Sequence, residues 1–587
     1  MMISFKCIFL AAVAVLGFSP SVLSQTVTLD TTEKGLHQTI DGFGTCINDK
    51  GTEDWYQKLY FDELDCSIVR VYLVPRFKSP WSDHTYNSPW FHGDPAMPGP
   101  EGNNVRTYTG AADYTREFAA RKAQIAVMGP DIDDNIKRYF DLDSGRLAGG
   151  GTIARMASSK SGERKVFASV WSPAPWLKLS SGNKISGQKD PMPRNGTPWP
   201  FIWFDNFAGG VLDTSGEPRK EFDDSGLPGG KGPTSALTQY ARSFAAWVRA
   251  YQNKFGFKFD VISLQNEPHL EVFYDSCLFR TSGEFIKALK VAREEFDKYP
   301  DLKDIRLIGP EDTIGSESTY LWYWENNGFK QHKLLQFMRD IEADPVASKA
   351  LAFYCVHGYA VDGITSAGAE PLVWEWSARG WKDSPNPQVP PNIKGYESYG
   401  KKCWMTETSG ENSEWLYPAA GFPSKGAFSI AIKMHQALTM GNVTAWIYWQ
   451  LTDQFKPDDQ YSDQALCNRK TGAGSPKLVA FKHFSKYVRP GARRVDVAVD
   501  GTKKLKASAY LNKKEQTLVW VIINASKDKM QVKLAKPDLP GLDAKAEVFT
   551  SCADELWKPS DLEFKDGTGA LEIPAFGVST IIGKLRK

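Results

Sequence analysis

The sequence predicts an α/β protein: a closed (β/α)8 barrel of eight parallel strands, followed by a small antiparallel β-sandwich. Two observations predict this architecture. Eight short apolar runs alternate with helical patterns between residues 40 and 449, which is typical of a parallel sheet with helices packed outside it. After Arg489-Pro490-Gly491 the pattern changes to short β-rich runs separated by turn residues, which indicates a separate sandwich.

The barrel strands are predicted where apolar runs are bounded by turn signals. They are 40–46, 68–74, 166–170, 259–264, 305–309, 352–356, 403–406 and 444–449. Helices are predicted at 235–255, 282–299 and 425–440, the last one stopped by Gly441. In the first of these helices, apolar residues recur at the 3.6-residue spacing that places them on one face.

The sandwich is predicted from β-rich runs at 505–510, 517–523, 547–550 and 578–582. A further strand-like segment, 26–29, precedes the barrel and could pair with the sandwich. The resulting domain prediction is a signal peptide at 1–24, the catalytic barrel at 25–494 and the C-terminal sandwich at 495–587. Two connections, 76–110 and 173–233, are long and rich in Pro, Gly and Trp; such loops are more often functional than accidental.

The amino terminus predicts export. Lys6 precedes an apolar run from Cys7 to Phe18, which suits a signal peptide and is too short to span a bilayer comfortably. We expect cleavage after Ser24 and a secreted protein, extracellular or periplasmic, with no membrane span. Seven cysteines would remain in the mature chain, and an odd number leaves at least one thiol free. A disulfide between some pair and a set of buried thiols are equally compatible with the sequence.

Composition excludes some classes of protein. The 71 basic and 69 acidic side chains nearly balance, which argues against a nucleic-acid-binding protein, because phosphate neutralisation requires a basic face. No Cys-x-x-Cys pair or spaced Cys/His cluster indicates a metal, and no cofactor is predicted. The chain is rich in aromatic residues, with 19 Trp, 22 Tyr and 33 Phe. These residues could form a large core or a carbohydrate-binding surface.

Two glutamates stand at predicted strand ends. Glu267 lies in Gln265-Asn266-Glu267-Pro268 after the fourth strand, and Glu407 lies in Met405-Thr406-Glu407 at the seventh. Catalytic groups of barrel enzymes lie at the carboxyl ends of strands, so the two carboxylates can converge on one bond. Glycoside hydrolysis requires such a pair. A surface or helix-capping role is the alternative for either residue alone.

The ordered motifs of the chain resemble glycoside hydrolase family 30, within clan A of the retaining β-glycosidases. The motifs that carry the resemblance extend over most of the mature chain. They are Ile40-Asp41-Gly42-Phe43-Gly44, Ile68-Val69-Arg70-Val71, Trp171-Ser172-Pro173-Ala174-Pro175-Trp176-Leu177-Lys178, Gln265-Asn266-Glu267-Pro268, Gly309-Pro310-Glu311, His357-Gly358-Tyr359, Met405-Thr406-Glu407, Trp446-Ile447-Tyr448-Trp449-Gln450, and the Arg489-Pro490-Gly491 junction.

The resemblance implies a retaining O-glycosyl hydrolase in which Glu267 is the general acid/base and Glu407 the nucleophile. A general acid of this kind is expected to have a raised pKa, whereas the nucleophile is ionised and hydrogen-bonded. Asn266 resembles the amide that binds the sugar 2-hydroxyl, and Arg70 resembles the arginine that supports the nucleophile. Tyr359 is expected to hydrogen-bond the nucleophile.

Further substrate-binding residues follow from the resemblance: Trp171, Trp176, His357, Tyr359 and Trp449. For the tryptophans, packing in the core is the alternative. The expected substrate is a β-linked polysaccharide, oligosaccharide or glycoconjugate, such as β-1,6-glucan, β-1,6-galactan, xylan or a β-glucoside, and the enzyme is expected to be a monomer. The sequence leaves the sugar, the linkage and endo or exo action open. A non-catalytic carbohydrate-binding barrel is the alternative function, although such a protein would be expected to lose one of the two carboxylates.

Overall fold

The computed structural model describes residues 25–47, 49–78, 125–143, 145–160, 162–182, 207–272, 274–326, 328–360, 372–409, 412–417, 425–453 and 464–586. The predicted signal peptide, residues 79–110 of the first long connection and residues 183–206 of the second lie outside these residues. The tryptophans of those connections at positions 81, 90, 199 and 203 lie outside them as well.

Eight parallel strands close into a barrel, as predicted. In chain order they are β1 (Gly42–Cys46), β2 (Ile68–Leu73), β3 (Lys165–Val170), β4 (Val261–Ser263), β5 (Arg306–Gly315), β6 (Leu351–Ala360), β7 (Cys403–Glu407) and β8 (Ala445–Tyr448). Each strand pairs with its neighbour in sequence, and β8 pairs with β1. The barrel interior is filled by alternate strand residues, among them Ile68, Phe167, Ile308 and Trp404. It is therefore a packed core whose open end carries the polar side chains.

The Asp41-Gly42-Phe43-Gly44 motif closes the barrel. The Asp41 carboxylate accepts hydrogen bonds from Lys402 (2.6 Å), Trp404 (2.8 Å) and Thr444 (2.6 Å), which ties the start of β1 to β7 and β8. A Cβ at Gly44 would lie 1.7 Å from the Ile68 carbonyl oxygen, so only glycine allows β2 to approach this closely. This motif therefore serves the fold.

Helices pack around the barrel. The α-helices of the described residues are Asp54–Lys58, Ile132–Tyr139, Gly145–Ser159, Ala236–Phe255, Ser282–Asp297, Ser318–Trp322, Leu334–Ala343, Pro345–Ala350, Val373–Arg379, Phe428–Thr439 and Pro476–Ser485. The three predicted helices are confirmed to within a few residues at each end. Ala236–Phe255 begins at Ser235, whose side chain accepts from the Thr238 amide, and ends at Gly256 with a φ of +71°.

In the described residues, four small antiparallel two-stranded sheets extend the connections. Their paired strands are Lys178–Leu179 with Val211–Leu212, Pro218–Asp223 with Pro233–Ser235, Tyr323–Asn326 with Phe329–His332, and Gly380–Trp381 with Ile393–Lys394. The hairpin Tyr323–His332 follows β5, so it lies at the end of the barrel formed by the carboxyl-terminal ends of the strands.

A ten-stranded, mostly antiparallel sheet forms the side domain. Its strands are Gln25–Asp30, Leu36–Thr39, Arg493–Asp500, Leu505–Asn512, Thr517–Asn524, Met530–Ala535, Leu542–Ser551, Lys558–Glu563, Thr568–Ile573 and Val578–Leu585. The amino-terminal strand Gln25–Asp30 pairs antiparallel with Arg493–Asp500 and parallel with Met530–Ala535. Apolar side chains from both halves of the sheet, including Val27, Trp520, Val532 and Ile581, form one core of their own.

The junction between the two parts is hydrogen-bonded. Gly491 N donates to the Ile40 carbonyl (2.9 Å), and Ile40 N donates to the Ala492 carbonyl (2.8 Å). His483, on the helix Pro476–Ser485, is fully buried between Thr580 Oγ1 (2.9 Å) and Ser551 Oγ (2.8 Å) of the side sheet. The predicted Arg-Pro-Gly motif thus lies where the chain passes from the barrel into the sheet.

The cysteines are thiols. All seven cysteines of the described residues are free, six of them are buried, and Cys552 is partly exposed. Of the two alternatives that the sequence allowed, the structure has the set of thiols. None of the helices in the described ranges is long and apolar enough to cross a membrane.

Candidate active site

Glu267 and Glu407 meet at the carboxyl end of the barrel. Glu407 is the last residue of β7, and Glu267 follows β4 by four residues. One carboxylate oxygen of each, together with a ring nitrogen of His357, lie within 4.8 Å of one another. Both glutamates are buried, with 7% and 5% of their surface exposed. The two predicted carboxylates therefore face one small space.

Two irregularities of the backbone orient the acidic residues. Opposite β6, strand β5 has one extra residue at Glu311, and β7 has one at Thr406. A bulge of this kind re-aims the side chains that follow it. Glu311 and Glu267 also have positive φ values of +55° and +45°. Such conformations cost about 1–3 kcal/mol each for residues other than glycine and are concentrated at functional sites.

Arg70 donates hydrogen bonds to two of the buried carboxylates, Glu407 and Glu311. It is fully buried and donates from Nη1 to Glu407 Oε2 and from Nη2 to Asn266 Oδ1 (2.8 Å) and Glu311 Oε1 (3.3 Å). Burial alone would lower the pKa of Arg70, but Glu407 and Glu311 outweigh it and raise the pKa above its ordinary value. Arg70 is therefore a permanent cation that holds Glu407 and Asn266 in place.

His357 is the second cation of the site. Burial lowers its pKa, but Glu407, Glu267 and Glu311 more than offset this and raise the pKa to about 10. As an imidazolium it donates from Nδ1 to Glu267 Oε1 (3.1 Å) and from Nε2 to Glu311 Oε1 (3.5 Å). Its Nδ1 is also 3.6 Å from Glu407 Oε1. His357 thus lies between the two glutamates.

The environment of Glu267 differs from the expectation of a raised pKa. Burial raises the pKa of Glu267, but the hydrogen bond and the charge of His357, with smaller contributions from His269 and Thr313, bring it below its ordinary value. The sequence could not predict this, because it does not show that a cation lies 3.1 Å away. In the site without substrate, the shared proton of this pair therefore resides on His357.

Charge counting shows how Glu267 could hold a proton. Three buried carboxylates, Glu267, Glu311 and Glu407, face two cations, Arg70 and His357. When all three carboxylates are ionised, the cluster carries one uncompensated negative charge. Moving the proton from His357 to Glu267 leaves that total unchanged, because an imidazolium and a carboxylate become a neutral pair, so the site can accommodate Glu267 as an acid as well as a base.

Glu407 receives a further hydrogen bond from the predicted tyrosine. Tyr359 OH donates to Glu407 Oε1 at 2.7 Å, whereas Oε2 is bound by Arg70. Burial and the charge of Glu407 raise the pKa of Tyr359 well above its ordinary value, so the phenol stays protonated and remains a donor. Both oxygens of Glu407 are thereby oriented.

Two of the predicted tryptophans lie at the site. The Trp171 and Trp449 rings are 5.7 Å apart and flank the Arg70 guanidinium, with centroids 4.7 Å and 5.7 Å from its Cζ. Trp449 is partly exposed and Trp171 is almost buried. Trp176 packs against Phe77 (5.0 Å) in the hydrophobic core instead. The structure therefore groups eight of the nine predicted site residues around the carboxylate pair.

Several residues of the site were not singled out from sequence. Glu311 belongs to the Gly309-Pro310-Glu311 motif, from which the sequence predicts no role for it. Ser169 donates to Glu311 Oε1 (2.9 Å), Thr313 donates to Glu267 Oε1 (3.2 Å), and Tyr274 donates to Glu267 Oε2 (3.5 Å). The sequence does carry a signal for Glu311, since it is an acidic residue two positions after the apolar run of the fifth strand.

Glu267, His357 and Glu407 are also spaced as ligands of a metal ion could be. Hydrogen bonding and charge pairing account for these distances without one, because His357 donates to Glu267 and its charge lies 3.6 Å from Glu407. We therefore interpret the group as a proton-sharing cluster and assign no metal to it.

Comparisons with known proteins agree with the geometry. No family model matches the chain. The glucuronoxylanase XynC of Bacillus subtilis is 25% identical over 185 residues, which are 32% of this chain and 40% of that protein. The endo-1,6-beta-D-glucanase neg1 of Aspergillus fumigatus is 25% identical over 248 residues, 41% of this chain and 38% of that protein. The chain thus matches less than half the length of these relatives.

Solved structures match over nearly the whole chain. The family 30 subfamily 8 xylanase Xyn30A of Clostridium acetobutylicum has a TM-score of 0.53 at 18% identity, covering 96% of this chain and 99% of that one. The catalytic domain of the family 30 xylanase C of Talaromyces cellulolyticus has a TM-score of 0.57 at 16% identity, with coverages of 95% and 100%. The chain has the fold of the family 30 glycoside hydrolases, and the resemblance to that family that its motifs predict is confirmed.

Proposed function

We propose that the chain is a secreted retaining β-glycoside hydrolase. The observation that carries this proposal is the contact geometry of Glu267 and Glu407, whose oxygens lie within 4.8 Å of one another at the ends of β4 and β7. Retaining enzymes keep their carboxyl groups about 5–5.5 Å apart, whereas inverting enzymes need room for a water molecule between them. The short separation favours direct attack by a carboxylate.

The reaction then proceeds in two steps. In the first, a Glu407 oxygen forms a bond to the anomeric carbon, the bond from that carbon to the glycosidic oxygen breaks, and Glu267 transfers a proton to the departing oxygen. In the second, Glu267 accepts a proton from water, the water oxygen bonds to the anomeric carbon, and the Glu407 carboxylate is released. Arg70 and Tyr359 hold Glu407 for both attack and departure.

The proton on Glu267 is supplied by the cluster itself. His357 and Glu267 together hold one proton at neutral pH, on His357 before substrate binds. A substrate oxygen placed beside Glu267 would exclude water, and this loss of solvation disfavours the charged form of the buried carboxylate. Transfer across the 3.1 Å contact then leaves a neutral imidazole beside a protonated carboxyl.

The proposed substrate is a β-linked glycan. The relatives named above are a glucuronoxylanase and an endo-1,6-beta-glucanase. The partly exposed rings of Trp449 and Tyr72, which both pack on the nearly buried Trp171, offer surface for stacking on a sugar. We infer β-1,6-glucan or xylan as the first substrates to test, with β-1,6-glucan first because the alignment with the glucanase extends further along the chain.

The test is hydrolysis of β-1,6-glucan, glucuronoxylan and aryl β-glycosides by the wild type, Glu407→Ala and Glu414→Ala. Glu414 is exposed and serves as the matched control. We expect activity in the wild type and the control, a loss of at least 1,000-fold in Glu407→Ala, and a product whose anomeric configuration is initially β. Absence of turnover by the wild type on every β-linked substrate would favour the non-catalytic carbohydrate-binding alternative, and an α-anomer would refute retention.

Secretion is part of the same proposal. It is supported by the apolar run between Cys7 and Phe18. Expression of the full chain in a bacterium with an export pathway should yield a mature protein that begins at Gln25, as measured by amino-terminal sequencing. Retention of Met1 in the cell interior would contradict it.

A further inference from the structure

A group of aromatic side chains beside Glu267 has no place in the catalytic network. His269 follows Glu267 by two residues, and its ring meets those of Tyr320 (6.4 Å) and Trp324 (5.8 Å) edge to face. Tyr320 lies on the helix Ser318–Trp322 and Trp324 on the strand Tyr323–Asn326, both in the connection after β5. We call these three side chains the outer aromatic wall.

Buried charges fix the base of this wall. His269 is only 2% exposed, and its Nδ1 is 3.0 Å from Asp312 Oδ1. The same oxygen is bound by the buried Lys333 ammonium, while Asp312 Oδ2 accepts from the Leu334 amide (2.7 Å). The Lys333 ammonium also lies 4.2 Å from the centre of the Tyr320 ring. The wall is therefore held in one position before any ligand arrives, which reduces the entropy cost of binding.

The upper part of the wall is accessible. Tyr320 and Trp324 are half-buried, and no residue of the described part of the chain forms a hydrogen bond with the Tyr320 hydroxyl or the Trp324 indole N–H. Rigid rings with an apolar surface and an unused polar group are suited to a ligand that has both kinds of surface. A sugar ring, with its apolar faces and rim of hydroxyls, is such a ligand.

The position of the wall indicates which sugar would bind. Trp171 directly follows β3, Trp449 directly follows β8 and Tyr72 lies in β2, on one side of the carboxylate pair. The outer aromatic wall belongs to the connections after β4 and β5, on the side of Glu267 away from those rings. Burial raises the pKa of Tyr320, and the charges of Asp312 and Glu267 raise it further, so the phenol stays protonated and can donate a hydrogen bond.

The proposed reaction separates the two sides chemically. Glu407 bonds to the sugar that stays on the enzyme, and Glu267 protonates the oxygen of the sugar that leaves. The leaving sugar must therefore lie against residues next to Glu267. We propose that Trp324, Tyr320 and His269 form the binding surface for the leaving-group sugar, with Trp324 as the ring on which it stacks. This inference rests on the proposed function and goes beyond it.

The experiment compares two substrates that share the retained sugar and differ in the leaving group. Gentiotetraose has a sugar leaving group, whereas β-gentiobiosyl fluoride releases only a fluoride ion; if the wild type prefers xylan, the pair is xylotetraose and β-xylobiosyl fluoride. For Trp324→Ala we expect kcat/KM on the oligosaccharide to fall at least ten-fold further than on the fluoride. Trp324→Phe, which retains a ring, should recover part of that difference.

Phe329→Ala is the matched control, because Phe329 is an exposed aromatic residue on the partner strand of the same hairpin. It should alter neither substrate's kcat/KM by more than two-fold. Equal losses of Trp324→Ala on the oligosaccharide and the fluoride would overturn the proposal, as would no loss on the oligosaccharide. If the wild type cleaves no β-linked substrate at all, the proposed function itself fails. That result differs from a wild type that cleaves both substrates of a pair while Trp324→Ala matches it, which overturns only the proposed binding surface.

Discussion

The hydrogen bond from Tyr359 to Glu407 provides a quantitative test of the site. Tyr359→Phe removes the hydroxyl that donates to Glu407 Oε1 at 2.7 Å and leaves the ring in place. A hydrogen bond to a charged group contributes about 1.5–3 kcal/mol, and every 1.36 kcal/mol is a factor of ten in rate. When the glycosyl-enzyme is hydrolysed, Glu407 leaves as a carboxylate, so the bond stabilises the charge that develops in this step.

We therefore expect the second step to slow by about 10- to 150-fold in Tyr359→Phe. The assay is rapid mixing with a 2,4-dinitrophenyl β-glycoside, whose good leaving group makes the second step limiting and produces a burst of dinitrophenolate. The burst amplitude should persist while the steady-state rate falls.

The control is Tyr251→Phe. Tyr251 is a buried tyrosine whose hydroxyl donates to the Leu147 carbonyl (3.1 Å), away from the carboxylates. It should reduce stability and leave the steady-state rate within two-fold of the wild type. An unchanged turnover in Tyr359→Phe would refute the assigned role of the tyrosine, and so would a loss of equal size in the control.

Three further predictions concern Glu311, acid stability and metal dependence. Glu311→Gln removes a carboxylate that raises the pKa of His357, so NMR titration should show that pKa shifted downward from about 10, and kcat/KM should fall at least ten-fold. Burial lowers the pKa of His483 to about 3. Between about pH 6.5 and 3 only the unfolded state binds a proton at this residue, so the free energy of unfolding decreases as the pH falls, by about 1.4 kcal/mol per pH unit. Urea unfolding at pH 7, 6 and 5 should show a flatter dependence in His483→Gln, and an unchanged slope would contradict the assignment. Dialysis against EDTA should leave activity within two-fold, because the cluster of Glu267, His357 and Glu407 is held by proton sharing; restoration of a lost activity by added Zn²⁺ or Ca²⁺ would overturn that interpretation.

The fold was predictable because its signals are local. Each barrel strand contains an apolar run of four to seven residues between turn signals, and each run begins within two residues of its observed strand. Some strands of the side sheet, such as Lys558–Glu563 and Thr568–Ile573, were not predicted. Most of their residues are exposed and polar, so the sequence shows no clear alternation of apolar and polar positions there. β5 and β6 extend further than predicted, because polar residues of the site follow their apolar parts.

Side-chain direction at the site could not be read from the sequence in the same way. Along β5 and β7 the inward positions alternate through Ile308 and Trp404, and a strict period of two would turn Glu311 and Glu407 outward. The extra residues in the two strands reverse that parity, so both carboxylates reach Arg70. A bulge depends on pairing with the neighbouring strand, and that pairing is not a property of either strand alone.

The sequence by itself determined the barrel, the following β-domain, the two carboxylates at strand ends four and seven and the resemblance to family 30, because each depends on residues close together in the chain or on motifs in order. The tertiary structure alone decided the protonation of the site. His357 lies 90 positions from Glu267 and 50 from Glu407 along the chain, and yet its ring is 3.1 Å and 3.6 Å from their carboxylates. Electrostatic interaction depends on distance and burial, and both arise only when the barrel closes.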